Sequence, residues 1–282
     1  MHMDAWKKQF DRQGYLLVRG LFDAAEVARY RDHFMALRRR GTYEGDFAGI
    51  DPTSDDPLKR YPRMIHMHRW DSVSRDFLID PRLDAVLTVL AGRSPLAVQT
   101  MLYFKPAGAR GQAFHQDNYY LRVQPGTCLA AWLALDDCDE ENGCMQVVPG
   151  SHDWPLLCVE RADSRQSFTD VAVPLPPATP VESMIMRAGD VLFFNGSLVH
   201  GSKPNSSTDR FRRALIGHYI DAEARQVASF YRPALRMDGS PVDIAASPDG
   251  SECGVWVERD GAPAIEVSVA QRAPREADYL NQ

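Results

Sequence analysis

The chain has 282 residues, 44% hydrophobic and 25% charged, with a formal net charge of −6 at neutral pH. That is globular composition, at a length sufficient to bury a core without disulfide or metal staples. The acidic balance argues against non-specific nucleic-acid binding, which runs on a basic face, and no apolar run approaches the roughly 18 residues of a membrane span.

Residues 4–13 read as a helix ended by Gly14, and 15–18 as a short strand. Asp23, with Glu26 three residues on, is close to a capping box for a second helix. Val27, Tyr30, Phe34 and Leu37 share one face of it, and Arg38, Arg39 and Arg40 before Gly41 suit the negative end of its dipole. Residues 41–70 lack periodicity and read as a lid or binding loop, and helix returns over 72–91. From Pro95 the character changes to short apolar runs at 96–104, 128–135, 144–148, 183–186, 191–194, 198–200 and 213–220. Turn residues such as Asn142-Gly143, Pro149-Gly150 and Asn195-Gly196 separate them. Many short strands punctuated in this way predict a sandwich, barrel or jelly roll. A hairpin around Asp260-Gly261 is expected within 254–270. The expected architecture is mainly β with flanking helices. It is read as one domain over 1–282, with helices over 4–94, a β core over 95–220 and a C-terminal extension over 221–282.

The five cysteines (Cys128, Cys138, Cys144, Cys158 and Cys253) are odd in number and include no CxxC pair. They predict a reduced, cytoplasmic protein rather than a disulfide framework, and the polar N-terminus does not read as a signal peptide. Cys138 and Cys144 flank the acidic loop Asp139-Glu140-Glu141 at a spacing wrong for zinc, so they are read as packing residues or free thiols.

Among the eight histidines, His115-Gln116-Asp117 follows a predicted strand and a Gly-rich turn. On a strand, residues i and i+2 project to the same face. A second histidine from another strand would complete a face of two imidazoles and one carboxylate, which leaves three positions open on a non-haem iron. HxD alone is weak, and His2-Met3-Asp4 is another instance of it. The surroundings add to it. Val199-His200-Gly201-Ser202 follows a strand-like run, and Phe211-Arg212-Arg213-Ala214-Leu215 opens the next. An iron that activates O₂ needs two electrons beyond those its substrate supplies, and 2-oxoglutarate provides them by oxidative decarboxylation. Its far carboxylate then calls for a cation, and an arginine fork matches a carboxylate with two charge-assisted hydrogen bonds.

With these residues in view, the sequence resembles the phytanoyl-CoA dioxygenase family of Fe(II)/2-oxoglutarate oxygenases. The carrying motifs run from about residue 8 to 220. They are Gly14-Tyr-Leu-Leu-Val18 with Phe22-Asp23, His115-Gln-Asp117, Trp132-Leu-Ala-Leu135, Asn142-Gly143, Val148-Pro-Gly-Ser-His152, Gly189-Asp190, His200-Gly-Ser202 and Phe211-Arg-Arg-Ala-Leu215. The resemblance implies a double-stranded β-helix core, a jelly-roll variant. It also implies Fe(II), 2-oxoglutarate and O₂ as cofactor and cosubstrates, with ascorbate as reductant in vitro.

The resemblance puts iron on His115, Asp117 and His200, and the far carboxylate of 2-oxoglutarate on Arg212 with Ser202 assisting. Gln99 matches a position near the cosubstrate, and Tyr103 and Trp132 are pocket neighbours. The stretch from His200 to Arg212 is longer than the family spacing, which leaves Arg210 and Arg213 as rivals. Strand alternation sends Arg212 and Arg213 opposite ways, so only one can enter the barrel. His152 reads as structural, and His218 as a satisfied or solvent-facing core histidine. Tyr119-Tyr120-Leu121 either lines the pocket or belongs to the core.

The expected activity is hydroxylation of a C–H bond of a small molecule, with release of succinate and CO₂. Desaturation, epoxidation or cyclisation with the same cofactors is an alternative, as is a metal-binding jelly roll without turnover. Halogenation is disfavoured, because halogenases of this type replace the carboxylate ligand and Asp117 is present. The segment 59–75 gathers Lys59, Arg60, Arg63, Arg69 and Arg75 with His66 and His68 against only Asp71. Such a segment beside a lid either steers an anionic substrate or forms ordinary surface pairs with Asp51, Asp55 and Asp56.

Overall fold

The computed structural model describes residues 2–43, 46 and 49–271. Residues 44, 45, 47 and 48 of the expected lid and 272–282 of the C-terminal extension lie outside the described residues.

The N-terminal part holds α1 (His2–Gln13), β1 (Tyr15–Val18) and α2 (Ala24–Arg39). The capping box forms as expected: Asp23 accepts from the Glu26 N–H, and the Glu26 carboxylate accepts from the Asp23 N–H. The loop over 41–70 is partly ordered by a short helix, α3 (Pro57–Arg60), and by β2 (Met64–Ile65). The single helix expected over 72–91 is instead two, α4 (Ser72–Leu78) and α5 (Pro81–Ala91). Pro81 has no N–H with which to continue α4, and Asp80 caps the new start by accepting from the Arg82 N–H.

The β core runs through β3 (Leu96–Tyr103), β4 (Gln112–His115), a helical turn α6 (Asn118–Leu121), β5 (Cys128–Ala134) and β6 (Met145–Val147). Short strands β7 (Glu160–Arg161), β8 (Val171–Ala172) and β9 (Glu182–Ser183) follow. Then come β10 (Val191–Asn195), β11 (His200–Ser202) and β12 (Ala214–Ile220). The run expected as a strand over 183–186 keeps only its first residue in β9. The C-terminal extension adds β13 (Gln226–Val227), β14 (Ala234–Leu235), β15 (Pro241–Val242), β16 (Ala245–Ala246), β17 (Ser251–Arg259) and β18 (Ala262–Gln271).

One antiparallel sheet has the order β1-β10-β5-β12-β3-β14-β15, with β2 also paired to β3; a second has the order β4-β11-β6-β9. Alternation along β5 explains how they layer. Leu129, Ala131 and Leu133 join the cluster of Val27, Phe34, Phe77 and Leu87, so this face packs under the helices. Ala130, Trp132 and Ala134 join Met145, Val147 and Ile216 between the sheets. The result is the mainly β jelly-roll core with helices on one face that the sequence predicts, and its interior opens into the cavity described below.

β17 and β18 form the expected hairpin, with Asp260 and Gly261 both at positive φ in its turn. The reading of the cysteines as reduced rather than disulfide-bonded is corrected here. Cys158 and Cys253 are disulfide-bonded, and Cys128, Cys138 and Cys144 are free and buried. The pair lies 95 residues apart in sequence. Backbone bonds from Gly254 N to Leu156 O and from Cys158 N to Gly254 O zip the two segments together. No cysteine spacing could announce such a pairing. Among the described residues, no helix is long and apolar enough to cross a membrane.

Candidate active site

His115 ends β4 and His200 begins β11, and the two are direct register partners. Their ring centroids lie 4.1 Å apart. Asp117 is not on a strand, contrary to the alternation argument. It stands at the start of α6 with right-handed helical φ and ψ, and the turn of the chain swings its carboxylate back beside the imidazoles. Asp117 Oδ1 lies 3.3 Å from His115 Nε2 and 3.6 Å from His200 Nε2. The three ligand atoms fall within 4.8 Å of one another, and all three residues are buried.

The donor set suits a divalent transition metal. His115 Nδ1–H donates to its own Ala113 carbonyl at 2.9 Å, and His200 Nδ1–H to Leu198 at 3.0 Å. Each bond fixes the tautomer and leaves an Nε2 lone pair facing the third ligand. Burial holds His200 down at about 4, so it is neutral near pH 7. Burial by itself would raise Asp117. The interactions with His200, His115 and His218 outweigh that and keep its carboxyl well below the ordinary carboxylate range.

The triad lines a cavity of about 510 Å³. Gln99, Tyr103, Trp132, Ser202 and Arg212 line the same cavity. Of Arg210, Arg212 and Arg213, only Arg212 lines the cavity. Arg213 pairs with Asp136 at 2.7 Å, and Arg210 pairs with Asp139 and Glu141 at the surface. Arg212 is 4% exposed, its guanidinium stands 5.2 Å from the Trp132 ring centre, and Nε donates to the Gly143 carbonyl at 3.2 Å. No carboxylate lies within ion-pair distance of it among the described residues.

Two residues were missed. Lys105, at the end of β3, is 3% exposed and donates to Gly143 O and Ser202 Oγ, both at 2.9 Å, and to Lys203 O. Burial, then the neighbouring Arg212 charge, pushes its ammonium well below the ordinary lysine range. Gly143 makes this meeting possible: a Cβ there would stand 2.5 Å from Lys203 O and 2.8 Å from Lys105 Nζ. Of the two readings of His218, satisfied or solvent-facing, the structure bears out the first, since the ring is buried, and the sequence did not show which group satisfies it. Its Nε2 lies 3.2 Å from Asp117 Oδ2. Strand parity carried the signal, since Ala214 and Ile216 face inward between the sheets and His218 is next on that face. His152 is structural as expected, bonded to the Asp11 carbonyl and packed beneath Gly14. Tyr120 and Leu121 line the cavity.

The basic segment divides. Arg69 donates to the Phe230 and Arg232 carbonyls, and Arg75 to the Gly239 carbonyl, so both tie helices to the C-terminal extension. His66 and His68 are buried. Burial pushes His68 down to about 3 and His66 well below its ordinary value, so neither adds positive charge. Lys59 and Arg63 do line the cavity mouth.

A family model described as phytanoyl-CoA dioxygenase matches residues 10–214. The chain belongs to the phytanoyl-CoA dioxygenase family. Among its family relatives, "Phytanoyl-CoA dioxygenase 1" of Oryza sativa subsp. japonica is 32% identical over 161 residues, 56% of this chain and 56% of that protein. The peroxisomal phytanoyl-CoA dioxygenase of Bos taurus is 26% identical over 241 residues, 78% of this chain and 69% of its own length. The chain thus spans little more than half the length of its rice relative. Among solved structures, the epimerase SnoN in complex with Fe3+, alpha ketoglutarate and nogalamycin RO is 27% identical, with a TM-score of 0.61 over 82% of this chain and 86% of that one. The carbocyclase SnoK from nogalamycin biosynthesis is 25% identical, with a TM-score of 0.62 over 85% and 92%. The phytanoyl-CoA dioxygenase family resemblance read from the motifs is therefore correct.

Proposed function

We propose that this protein is an Fe(II)/2-oxoglutarate-dependent oxygenase that hydroxylates a C–H bond of a small molecule and releases succinate and CO₂. One observation carries the reading. A two-histidine, one-carboxylate cluster and a buried cationic end without a carboxylate partner share one cavity. His115, Asp117 and His200 would hold the iron, and His218 would steady Asp117. Bound iron supplies the site at which O₂ and 2-oxoglutarate are activated together.

The other residues act on the organic molecules. Arg212 and Lys105 receive the far carboxylate of 2-oxoglutarate, with Ser202 between them, and Trp132 shields the arginine face from water. Tyr103 and Gln99 flank the cosubstrate. Tyr120, Leu121, Phe230 and Tyr231 give the remaining space an apolar wall, which orients a substrate and keeps water out. At the mouth, Lys59 and Arg63 support a substrate bearing a carboxylate, phosphate or phosphonate.

The test is succinate formation with Fe(II), ascorbate and 2-oxoglutarate, followed by a mass screen of candidate substrates. Hydroxylation adds one oxygen. The likeness to SnoN and SnoK supports a second reading, in which the same cofactors drive epimerisation, with no mass change, or ring closure, with loss of two hydrogens. Loss of succinate formation in both His115→Ala and His200→Ala is expected. Retention of wild-type turnover in either would refute the site.

A further inference from the structure

The two oxygens of Asp117 are sorted between different partners. Oδ1 faces the imidazoles of His115 and His200, whereas Oδ2 lies 3.2 Å from His218 Nε2. A carboxylate oxygen only accepts, so Nε2 carries the hydrogen and donates it. An aspartate at a helix start ordinarily spends an oxygen on the free N–H groups of the first turn. Asp117 makes no such bond, and both oxygens remain directed into the cavity wall.

His218 is placed for this contact by the middle of β12. It stands opposite Gln99 of β3 and Ala130 of β5, and it is 6% exposed. Its Nδ1 has no hydrogen-bond partner among the described residues, so the ring's polar commitment is to Asp117. A phenylalanine would fill such a core position without leaving a buried nitrogen unsatisfied. The histidine costs the fold something, and the bond to Oδ2 is what it gives in return.

We propose that His218 is a positioning residue that holds Asp117 to one-oxygen coordination of the metal. A carboxylate can offer a metal one oxygen or both. Two-oxygen binding would fill one of the three positions that the triad leaves for the two ends of the keto acid and for O₂. Engaging Oδ2 in a hydrogen bond keeps that position open and aims Oδ1. This inference rests on the reading of His115, Asp117 and His200 as the metal site, and the experiment separates the two.

Co(II) is titrated into the metal-free full-length protein, with its visible absorption and competition by a chelator as readouts and no turnover required. His218→Ala is expected to weaken Co(II) binding about 10- to 100-fold and to alter the Co(II) spectrum as the second carboxylate oxygen becomes free to bind. His218→Gln, which restores a terminal N–H donor, is expected to recover most of the affinity and the wild-type spectrum. Thermal unfolding of the metal-free variants reads any purely structural effect, and Gln remains informative if Ala fails to fold. Wild-type affinity and spectrum in His218→Ala, with binding lost in Asp117→Ala, would overturn the role of His218 and leave the triad standing. A wild-type protein that binds no Co(II), or an Asp117→Ala variant that binds it as well as wild type, would overturn the triad and this inference with it.

Discussion

Arg212 and Lys105 converge on one backbone oxygen, the Gly143 carbonyl, which accepts from Arg212 Nε at 3.2 Å and from Lys105 Nζ at 2.9 Å. Two buried basic side chains sharing neutral acceptors, with no carboxylate paired to either among the described residues, leave a demand for negative charge at that end of the cavity. Truncating one partner of a buried charge pair costs roughly 2–5 kcal/mol. Arg212→Ala is therefore expected to raise the 2-oxoglutarate concentration needed for half-maximal succinate formation by about 30-fold or more. Arg213→Ala should change it little, because Arg213 is already paired with Asp136. The reverse order would assign the cosubstrate to the wrong arginine.

The same relationship predicts a proton balance. Burial and the Arg212 charge push the Lys105 ammonium below the ordinary lysine range in the free protein. An arriving carboxylate favours the charged form and raises it again. At a pH above the free-state value, binding of 2-oxoglutarate should thus take up a proton, and affinity should fall as pH rises through that range. Calorimetry of 2-oxoglutarate binding in buffers of different ionisation enthalpy measures the uptake. Lys105→Met should abolish the pH dependence as well as weakening binding, and equal heats in all buffers would contradict the assignment.

What the sequence shows of this site follows from how local each signal is. Val27, Tyr30 and Phe34 repeat at helical spacing, and β5 is a continuous apolar run between turn residues, so helix α2 and the core strand were readable from single segments. The triad was readable because His115 and Asp117 are two residues apart and His200 opens a strand with its own flanking motif. The argument for Asp117 nonetheless used the wrong geometry, since a helical turn and not strand alternation presents it. Lys105 was not readable. Its partners Gly143, Ser202 and Lys203 come from distant parts of the chain, and a lysine just beyond a strand ordinarily points to water. The 95-residue separation hid the disulfide for the same reason.

That disulfide joins the C-terminal hairpin to the segment following β6, and the joint reaches the turn between His115 and Asp117. Gln116, between His115 and Asp117, accepts from the Leu157 N–H at 2.8 Å and donates to the Ser197 carbonyl at 2.9 Å. Closing a loop of 95 residues stabilises mainly by restricting the unfolded chain, and losing such a bridge typically costs about 2–5 kcal/mol. Thiol titration of the denatured, unreduced protein should find three free cysteines, Cys128, Cys138 and Cys144. Cys158→Ser should lower the denaturation midpoint without changing the number of metal equivalents bound. Five titratable thiols would show that the pair is open.

The cavity mouth bears on substrate charge. Of the basic residues between 59 and 75, only Lys59 and Arg63 line it, together with Arg110 from the core. Arg110 is paired with Asp56 at 2.8 Å, and Lys59, Arg63 and Asp170 line the same cavity. Arg63 stands 6.0 Å from the Phe168 ring centre, over an aromatic face that attracts its positive charge, and the guanidinium is the group there that could meet an anion entering the cavity. If the substrate is anionic, Arg63→Ala should raise its KM severalfold while leaving substrate-free decarboxylation of 2-oxoglutarate unchanged. The effect should shrink with salt, because screening shortens to about 3 Å at 1 M. Arg69→Ala separates steering from scaffolding. Its side chain donates to the Phe230 and Arg232 carbonyls, so its loss should lower thermal stability and should not confer a salt-dependent KM. A salt-independent KM in the wild-type enzyme, or a substrate that is neutral, would remove the anion from this account and leave Arg63 as part of the aromatic wall.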